Sequence, residues 1–386
     1  MKAVVTFVSL ALLGCAAIWA QNAGRKPEPS SKPPQKVSKS SVEQDPAART
    51  AVEKGAKWLA SVQGADGGWG QDGGDPSNVR QSVPLESQGN DVANTALGAL
   101  ALLRAGDKYR ANVERAVDFV LRKVEASPID GLAVTDGKQT QVQRKLGPYI
   151  DTFMASMLLA QVDGMFAKDR NVKIRGGLEK CVAKIEKNQT KDGSWNVGGG
   201  WAPLLGTSLA SRSLYAAGQK GVAVSQDTLA RADAYTLKNQ RDSAATVGPG
   251  SGRGIGTTTE SVTVVGGAAG VALYQDAQAL EQLSRTPESR KKNAKEIAAI
   301  NGKLADSRFV EGYGSIGGEE FFSYLNISDG LRRTGGKEWT DWYSKISQKI
   351  LKLQNEDGTW SGHHCITGRV AVTSAAILNL TPDYEG

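Results

Sequence analysis

The only two histidines of the chain, His363 and His364, stand directly before Cys365. Imidazole and thiolate are ligands that zinc prefers, and a carboxylate beside them would complete an open site with one position for water or substrate. A second interpretation makes Cys365 a nucleophile, activated by a neighbouring histidine and by a helix N-terminus. A third is structural: a polar turn in which Cys365 and Thr367 cap the following helix.

Acidic and hydroxyl side chains open five other helical segments that are rich in small residues. These residues are Asp91, Asp151, Thr207 and Ser208, Thr259 and Glu260, and Glu319 and Glu320. A single Asp or Ser has an ordinary explanation, because both are preferred helix N-caps. Two adjacent glutamates are more than one cap needs, which makes Glu319 and Glu320 candidates for general acid or base chemistry.

Two overlapping sets of site residues are therefore predicted. The expected catalytic residues are Asp151, Glu319, Glu320, His364 and Cys365. The expected metal ligands are Asp151, His363, His364 and Cys365. Zinc is the cofactor that this mixture of thiolate, imidazole and carboxylate favours.

An internal repeat shows which elements must position these residues. Three amphipathic segments end in Gln, two or three polar residues and then Asp-Gly-x-Trp; their glutamines are Gln63, Gln189 and Gln354, and their tryptophans are Trp69, Trp195 and Trp360. The Asp-Gly pair predicts a turn that ends a helix, the Trp folds back as an apolar anchor, and the Gln amide can satisfy unpaired backbone groups. The repeat therefore marks the scaffold and carries no chemistry itself.

Each amphipathic helix is followed by a second helix that is apolar almost all round and is therefore expected to be buried. Pairing them gives six hairpins, at about residues 46–106, 107–162, 163–218, 219–275, 276–335 and 336–381. Six hairpins with alternating outer and inner helices predict an all-α fold, the α/α toroid or (α/α)6 barrel. In this fold the inner helices are parallel, so the candidate residues at their N-termini surround one mouth of a central cavity.

The N-terminal part of the chain predicts export. Residues 1–20 have a basic start followed by an apolar run, as in a signal peptide. The sequence "LLGC" ending at Cys15 allows a lipoprotein signal instead, and an uncleaved membrane anchor is a third interpretation. Residues 21–45 are rich in Pro, Ser and Lys and predict a disordered linker. The toroid domain, residues 46–386, is thus expected in the periplasm or outside the cell, reaching a membrane only through such an anchor or lipid.

Composition and charge narrow the classes of partner. The chain has 40% hydrophobic and 23% charged residues, as soluble globular proteins do. Its net charge is +7, and residues 1–45 hold six Lys/Arg against three Asp/Glu, which leaves about +4 for the domain. Such a mild excess predicts no nucleic-acid partner, although it suits an acidic glycan.

The repeat resembles a known family. The segment from Lys54 to Trp69, with its copies at Gln189 to Trp195 and Gln354 to Trp360, is similar to the QW repeat of squalene cyclases and of protein prenyltransferase β-subunits. The closing segment also resembles an exported bacterial subgroup without an assigned reaction. The resemblance implies the toroid fold and terpene cyclase or prenyltransferase activity.

Two departures from the family bear on the chemistry. The Asp-x-Asp-Asp motif with which the cyclases protonate an alkene is absent. The prenyltransferases bind zinc through Asp-x-Cys and a later His. Here Asp151 is followed by Thr-Phe, while His363 or His364 stands at the matching start of the last inner helix, with Cys365 beside it.

The sequence therefore favours an exported toroid enzyme that resembles the prenyltransferases and squalene cyclases, with its site at the inner-helix rim. Zinc is the expected cofactor, a small lipid-like or glycan ligand is expected in the central cavity, and no reaction is assigned, because the missing Asp-x-Asp-Asp motif argues against a squalene-type cyclase. One alternative is a polysaccharide lyase or hydrolase that acts on an acidic glycan, which rests on analogy of fold. Another is a non-catalytic, tethered binding or scaffold module.

Overall fold

The computed structural model describes residues 42–74, 89–135, 140–196, 203–246, 272–312 and 316–382. These residues all belong to one compact unit, Val37–Gly386. They contain helices and isolated bridges but no strand, so the prediction of an all-α fold is confirmed. The predicted signal and most of the predicted linker lie outside the described residues, as do Thr259 and Glu260.

Six inner helices form a closed ring. They are α2 (Val92–Ala105), α5 (Ile150–Val162), α7 (Pro203–Gln219), α9 (Ala272–Leu283), α13 (Gly318–Thr334) and α15 (Arg369–Leu380). Each packs against the inner helices before and after it, and α15 packs against α2. The predicted toroid of six hairpins is therefore the fold of the described chain.

An outer layer of helices covers this ring. Its members are α1 (Pro46–Ser61), α3 (Arg110–Ala126), α6 (Lys168–Lys187), α8 (Gln226–Thr246) and α14 (Gly336–Leu351). Three short helices, α10 (Pro287–Lys292), α11 (Ala294–Lys303) and α12 (Ser307–Val310), fill the fifth outer position, where α11 and α12 pack on α9. A further short helix, α4 (Gln141–Leu146), precedes α5. No helix of the described residues is long and apolar enough to cross a membrane.

Burial follows the composition of the two helix types. Every residue of α15 from Val370 to Leu380 is buried, which its small and apolar side chains allow. The outer helix α14 instead buries a stripe that includes Trp339, Trp342 and Ile346 and leaves its lysines toward solvent. Inner helices thus meet protein on all sides, whereas outer helices have one wet face.

The three repeated tryptophans act as anchors in the same way. The indole Nε1 atoms of Trp69, Trp195 and Trp360 donate to the carbonyls of Leu59, Ile185 and Ile350, over 2.8, 2.6 and 2.8 Å. Each acceptor lies in the outer helix that ends just before the turn. The indole therefore stays hydrogen-bonded while it is buried, which removes the main cost of placing tryptophan in a core.

The three repeated glutamines join successive outer helices. Each side-chain amide donates to the glycine carbonyl of its own turn and to a carbonyl of the next outer helix. For Gln354 the second acceptor is the carbonyl of Ala51 in α1, at 2.9 Å. The last repeat is thereby bonded to the first. The repeated glutamine, which links successive outer helices in the other two repeats, here closes the ring.

Replacing Gln354 with alanine should lower the free energy of unfolding by about 1–3 kcal/mol, because the carbonyls of Ala51 and Gly358 lose a donor. Urea denaturation of the full chain measures the change. Gln226→Ala is the matched control, since the Gln226 amide is exposed and contacts only the nearby carbonyl of Val224. Equal unfolding midpoints for the two variants would contradict a closing role for Gln354.

Direct contacts place four inner-helix N-termini at one end of the ring. Asp151 of α5 accepts a hydrogen bond from the backbone N–H of Ala93 in α2. The carbonyl of Trp69 accepts from Asp91, the N-cap of α2, and the carbonyl of Gln71, two residues further on, accepts from Val370 of α15. The carbonyl of Ile366, just before α15, accepts from Gly318 of α13. The predicted rim therefore exists, and its residues meet although they are far apart in sequence.

The C-terminal ends of α9 and α13 carry a buried ionic network that the sequence did not reveal. The carboxylate of Glu281, fully buried, contacts the guanidinium groups of Arg285 and Arg333. Asp329 pairs with Arg212 and Arg332. Burial alone would raise the pKa of Glu281, but the nearby arginines outweigh it and the pKa is lowered. The ring interior is thus polar and charged at this end.

Candidate metal centre

The candidate centre forms where the loop before α15 packs on the first turn of α13. The backbone N–H of His363 donates to the carbonyl of Ile316 at 2.9 Å, and that of Gly318 donates to the carbonyl of Ile366 at 3.0 Å. A Cβ on Gly318 would lie 2.6 Å from the Cβ of Ile366, so only glycine permits this approach. The glycine-rich segment before α13 is therefore what lets the two histidines and Cys365 reach the glutamates.

Three side chains of different chemistry meet at this contact. Glu319, His364 and Cys365 each present one ligand atom, and these atoms lie within 4.8 Å of one another. Glu319 is fully buried, while His364 and Cys365 are partly buried. The carboxylate comes from α13 and the other two groups come from the loop, so tertiary packing assembles the cluster.

Cys365 has an unusual backbone conformation. Its φ is 55°, and it is the non-glycine residue with a positive φ among the described residues. The left-handed region costs an L-residue about 1–2 kcal/mol, and such residues concentrate at functional sites. The sharp turn places the side chains of His364 and Cys365 beside the same carboxylate, although they are adjacent in sequence.

Burial favours the protonated forms of the acidic groups in the cluster. It raises the pKa of Glu319, with Glu320 adding a like charge, and it raises the pKa of Cys365 to about 11, with Glu319 adding to the shift. The backbone N–H of Glu319 and the Cys365 thiol lie close enough to stabilise the Glu319 carboxylate, but neither carboxylate oxygen accepts a hydrogen bond of good geometry among the described residues. Without a cation, Cys365 is accordingly a thiol at neutral pH, which is the wrong state for the predicted nucleophile.

The donor set fits a zinc ion. Thiolate, imidazole and carboxylate are the usual zinc ligands, and three protein ligands are typical of catalytic sites. Bonds of about 2.0–2.3 Å separate tetrahedral ligand atoms by about 3.5 Å, so the three side chains would draw in by about 1 Å. A cation would also satisfy the buried Glu319 carboxylate, a group that is costly to leave unpaired.

The other predicted site residues lie around or away from this cluster. His363 is exposed and does not belong to the three-residue group. Glu320 is fully buried next to the three-residue cluster, and its Oε2 atom lies 3.7 Å from Nε2 of His364. Asp151 contributes to a different arrangement at the starts of α2 and α5.

Asp151 forms a buried acid pair with Asp91. The amide of Gln143 donates to Oδ1 of both carboxylates, at 3.0 Å each. Asp91 also accepts from the backbone N–H of Asn94 at 2.8 Å and so caps its own helix. Asp151 accepts from the N–H of Ala93 at 2.7 Å and so serves the N-terminus of the neighbouring helix. Asp91 therefore has the capping role expected from the sequence, whereas Asp151 lies in the first turn of α5 and bonds the start of α2 instead.

This acid pair should make the folded protein less stable as pH rises from about 4 to about 7. Burial and the charge of Asp151 raise the pKa of Asp91 to about 7, above the value of about 4 expected in the unfolded chain. The unfolded chain therefore releases the proton first, and stability is lost over that pH window. In Asp151→Asn the stability lost over this pH range should be smaller by about 1 kcal/mol. The substitution removes the charge of Asp151, so only burial still raises the pKa of Asp91.

Urea denaturation at several pH values measures this dependence. Asp107→Asn is the control, because Asp107 is exposed and its neutralisation should leave the wild-type slope unchanged. An Asp151→Asn protein with the slope of wild type would show that the two carboxylates do not interact.

Part of the chain is similar in sequence to squalene–hopene cyclases. The family model described as the squalene-hopene cyclase C-terminal domain matches residues 37–131. This segment is similar to that domain of the squalene-hopene cyclases. The prenyltransferase and squalene cyclase resemblance expected from the QW repeats is thus confirmed, and the matched segment includes Trp69, α1, α2 and α3.

One curated relative is the squalene–hopene cyclase of Bradyrhizobium diazoefficiens, which is 36% identical over 70 residues. The match covers 18% of this chain and 10% of the relative. The chain thus aligns with only a small part of that longer enzyme.

Two solved structures are also similar. The apo structure of the type II terpene cyclase MstE from Scytonema has a TM-score of 0.49 and 12% identity, covering 87% of this chain and 98% of that one. A variant of MstE in complex with geranylgeranyl dihydroxybenzoate has a TM-score of 0.34 and 12% identity, covering 87% and 97%.

Proposed function

We propose that this chain is an enzyme of the squalene-cyclase type whose reaction centre consists of Glu319, His364 and Cys365 and binds one zinc ion. The observation that carries the proposal is the convergence of a carboxylate, an imidazole and a thiol within 4.8 Å. Burying a polar group without a partner costs free energy, and a bound cation would offset that cost for the carboxylate. The glutamate is fully buried here.

Each residue has a role that follows from its environment. When bound, zinc supplies a Lewis acid and a position for water or substrate. Glu319, His364 and Cys365 would hold the ion, the cysteine as thiolate and the histidine through a ring nitrogen that carries no proton. The centre sits at the start of α13, where the helix dipole favours an anionic group. The negative charge of the Glu319 carboxylate, which lies in the first turn of α13, would be stabilised by the ion and by the helix terminus.

The family supports a lipid-like substrate class. The matched family and the curated relative are squalene–hopene cyclases by name, and squalene is an apolar isoprenoid. We therefore propose a small isoprenoid or similar lipid as substrate, bound on the side of the ring to which the rim opens. The two alternatives predict different results. An enzyme acting on an acidic glycan should work without metal, and a scaffold should tolerate every substitution at the rim.

A second candidate function uses the same residues without metal. Burial raises the pKa of Glu319, so this carboxylic acid keeps its proton at higher pH than an exposed glutamate. A buried neutral acid is a competent proton donor to an apolar substrate. In this case Glu319 would be the general acid, and the neighbouring thiol would have no ligand role.

Metal analysis of the purified full chain tests the proposal. We expect about one zinc per chain, retained in His363→Ala and lost in His364→Ala. The two histidines are adjacent, but only His364 belongs to the cluster, so His363→Ala is a matched control. Equal zinc content in both variants, or none in the wild type, would contradict the zinc centre. Binding of isoprenoid analogues that depends on Glu319 but not on metal would favour the second candidate.

We also propose that the chain is exported. The apolar run in residues 1–20 supports this. N-terminal sequencing of the protein from its native host should find a start after Ala20 or Ala23, or a lipidated Cys15. A start at Met1 in a cytoplasmic fraction would contradict export.

A further inference from the structure

A buried tyrosine and a buried glutamate stand directly behind the imidazole of His364. We propose that Tyr274 and Glu320 are positioning residues for the zinc centre, in which Glu320 holds His364 through Nε2 and Tyr274 holds Glu320. The inference rests on the proposed function, since it assigns residues to the same site. Tyr274 lies in α9, so a third inner helix would take part in the centre, beside α13 and the start of α15.

Two hydrogen bonds hold the carboxylate of Glu320, and a third group, the imidazole of His364, lies next to it. Its Oε1 atom accepts a hydrogen bond from the Tyr274 hydroxyl at 2.6 Å. Its Oε2 atom accepts from the backbone N–H of Gly317 at 2.8 Å and lies 3.7 Å from Nε2 of His364. Glu320 is fully buried and Tyr274 is 1% exposed. A carboxylate fixed in this way presents one edge to the imidazole in a single orientation.

The orientation of the imidazole ring follows from these contacts. A carboxylate facing Nε2 favours the tautomer that carries its proton on that nitrogen, which makes Nδ1 the metal ligand. The ring also lies against Gly317, where an added Cβ would stand 2.7 Å from both Cε1 and Nδ1. Glu320 thus fixes one edge of the ring, and Gly317 leaves the space in which the ring sits.

Capping of α13 does not account for this arrangement. A glutamate at this position of the first turn commonly accepts the N-cap N–H, and the Oε2 atom of Glu320 does so. The cap needs no partner for Oε1, yet Tyr274 donates to it from another helix. A second buried tyrosine, Tyr324, shows the ordinary use of such a hydroxyl, because it donates to the backbone carbonyl of Val310.

Zinc affinity of the full chain distinguishes a positioning role from a structural one. We expect Glu320→Gln to weaken zinc binding by about 10- to 100-fold and Tyr274→Phe by about 3- to 10-fold, as measured by competition with a chelating dye. Tyr324→Phe is the matched control, since it removes a buried tyrosine hydroxyl without contacting Glu320, and it should keep wild-type affinity. Tyr274→Phe leaves the cap of α13 intact, so it remains informative if Glu320→Gln does not fold.

The coordinating nitrogen gives a second readout that simple destabilisation would not move. With only two histidines in the chain, nitrogen-15 spectra of the zinc-loaded protein can be assigned by comparison with His363→Ala. We expect zinc on Nδ1 of His364 and a proton on Nε2. Zinc on Nε2, or wild-type affinity in both Tyr274→Phe and Glu320→Gln, would overturn the inference while leaving the zinc centre in place. A wild-type chain that binds no zinc would overturn both.

Discussion

Replacing Cys365 with serine should abolish most of the stability that zinc adds to the folded chain. A ligand that binds only the folded state stabilises it by about 2.7 kcal/mol at one hundred times its dissociation constant and about 4.1 kcal/mol at one thousand times. A serine hydroxyl is a far poorer zinc ligand than a thiolate. The substitution leaves the size and the backbone requirement at this position, φ 55°, almost unchanged.

The measurement is the difference in unfolding free energy with and without zinc. Cys181→Ala is the control: Cys181 is buried in α6, so this change lowers the baseline stability but should keep the zinc increment. The increment should also grow between about pH 6 and pH 8. The pKa of Cys365 is about 11 and that of Glu319 is raised, so zinc must displace protons that become easier to remove as pH rises. An increment that is equal in wild type and Cys365→Ser would exclude the thiol as a ligand.

Replacing Trp360 with alanine should cost about 3–5 kcal/mol of stability, the range for removing a large aromatic side chain from a core. Trp360 is fully buried and its indole bonds the carbonyl of Ile350. It also packs on Gly55, where an added Cβ would lie 2.8 Å from its Cζ3 atom. Because Gly55 belongs to α1, the substitution would remove a packing contact between the last repeat and the first.

Trp58→Ala is the matched control for Trp360→Ala. Trp58 is only partly buried and its ring contacts the Arg369 guanidinium at the surface, so its removal should cost much less. Urea denaturation compares the two variants. A loss for Trp360→Ala no larger than that for Trp58→Ala would mean that the repeated tryptophans are not the anchors of this fold.

Much of the scaffold could be predicted because its signals are local. The turn at Trp360 follows from an Asp-Gly pair after an amphipathic helix, and the structure repeats its geometry at Trp69 and Trp195. The helices rich in small residues were expected to be buried, and α15 is buried throughout. Hydrophobic periodicity and turn chemistry act over a few residues, so they can be read without knowing the neighbours of each helix.

The candidate site was less accessible to prediction because its contacts span several repeats. Glu319, Glu320, His364 and Cys365 were singled out by residue type, and the structure brings them together. His363 and Asp151 were predicted as ligands for the same reason, but neither belongs to the cluster. His363 is exposed to solvent, and Asp151 accepts a hydrogen bond from Gln143. Tyr274 was not singled out at all, since nothing in its own segment distinguishes it from a core tyrosine.

Local sequence patterns were enough to predict that this chain forms a ring of paired helices and that its two histidines and a cysteine stand at the start of the last inner helix. Which carboxylate they contact depends on the packing of distant repeats. The rim gathers the N-termini of helices from distant repeats, and which side chains touch depends on close approaches such as Gly318 to Ile366 and on the left-handed turn at Cys365. Distances of this kind are set by packing across the ring, which no local pattern encodes.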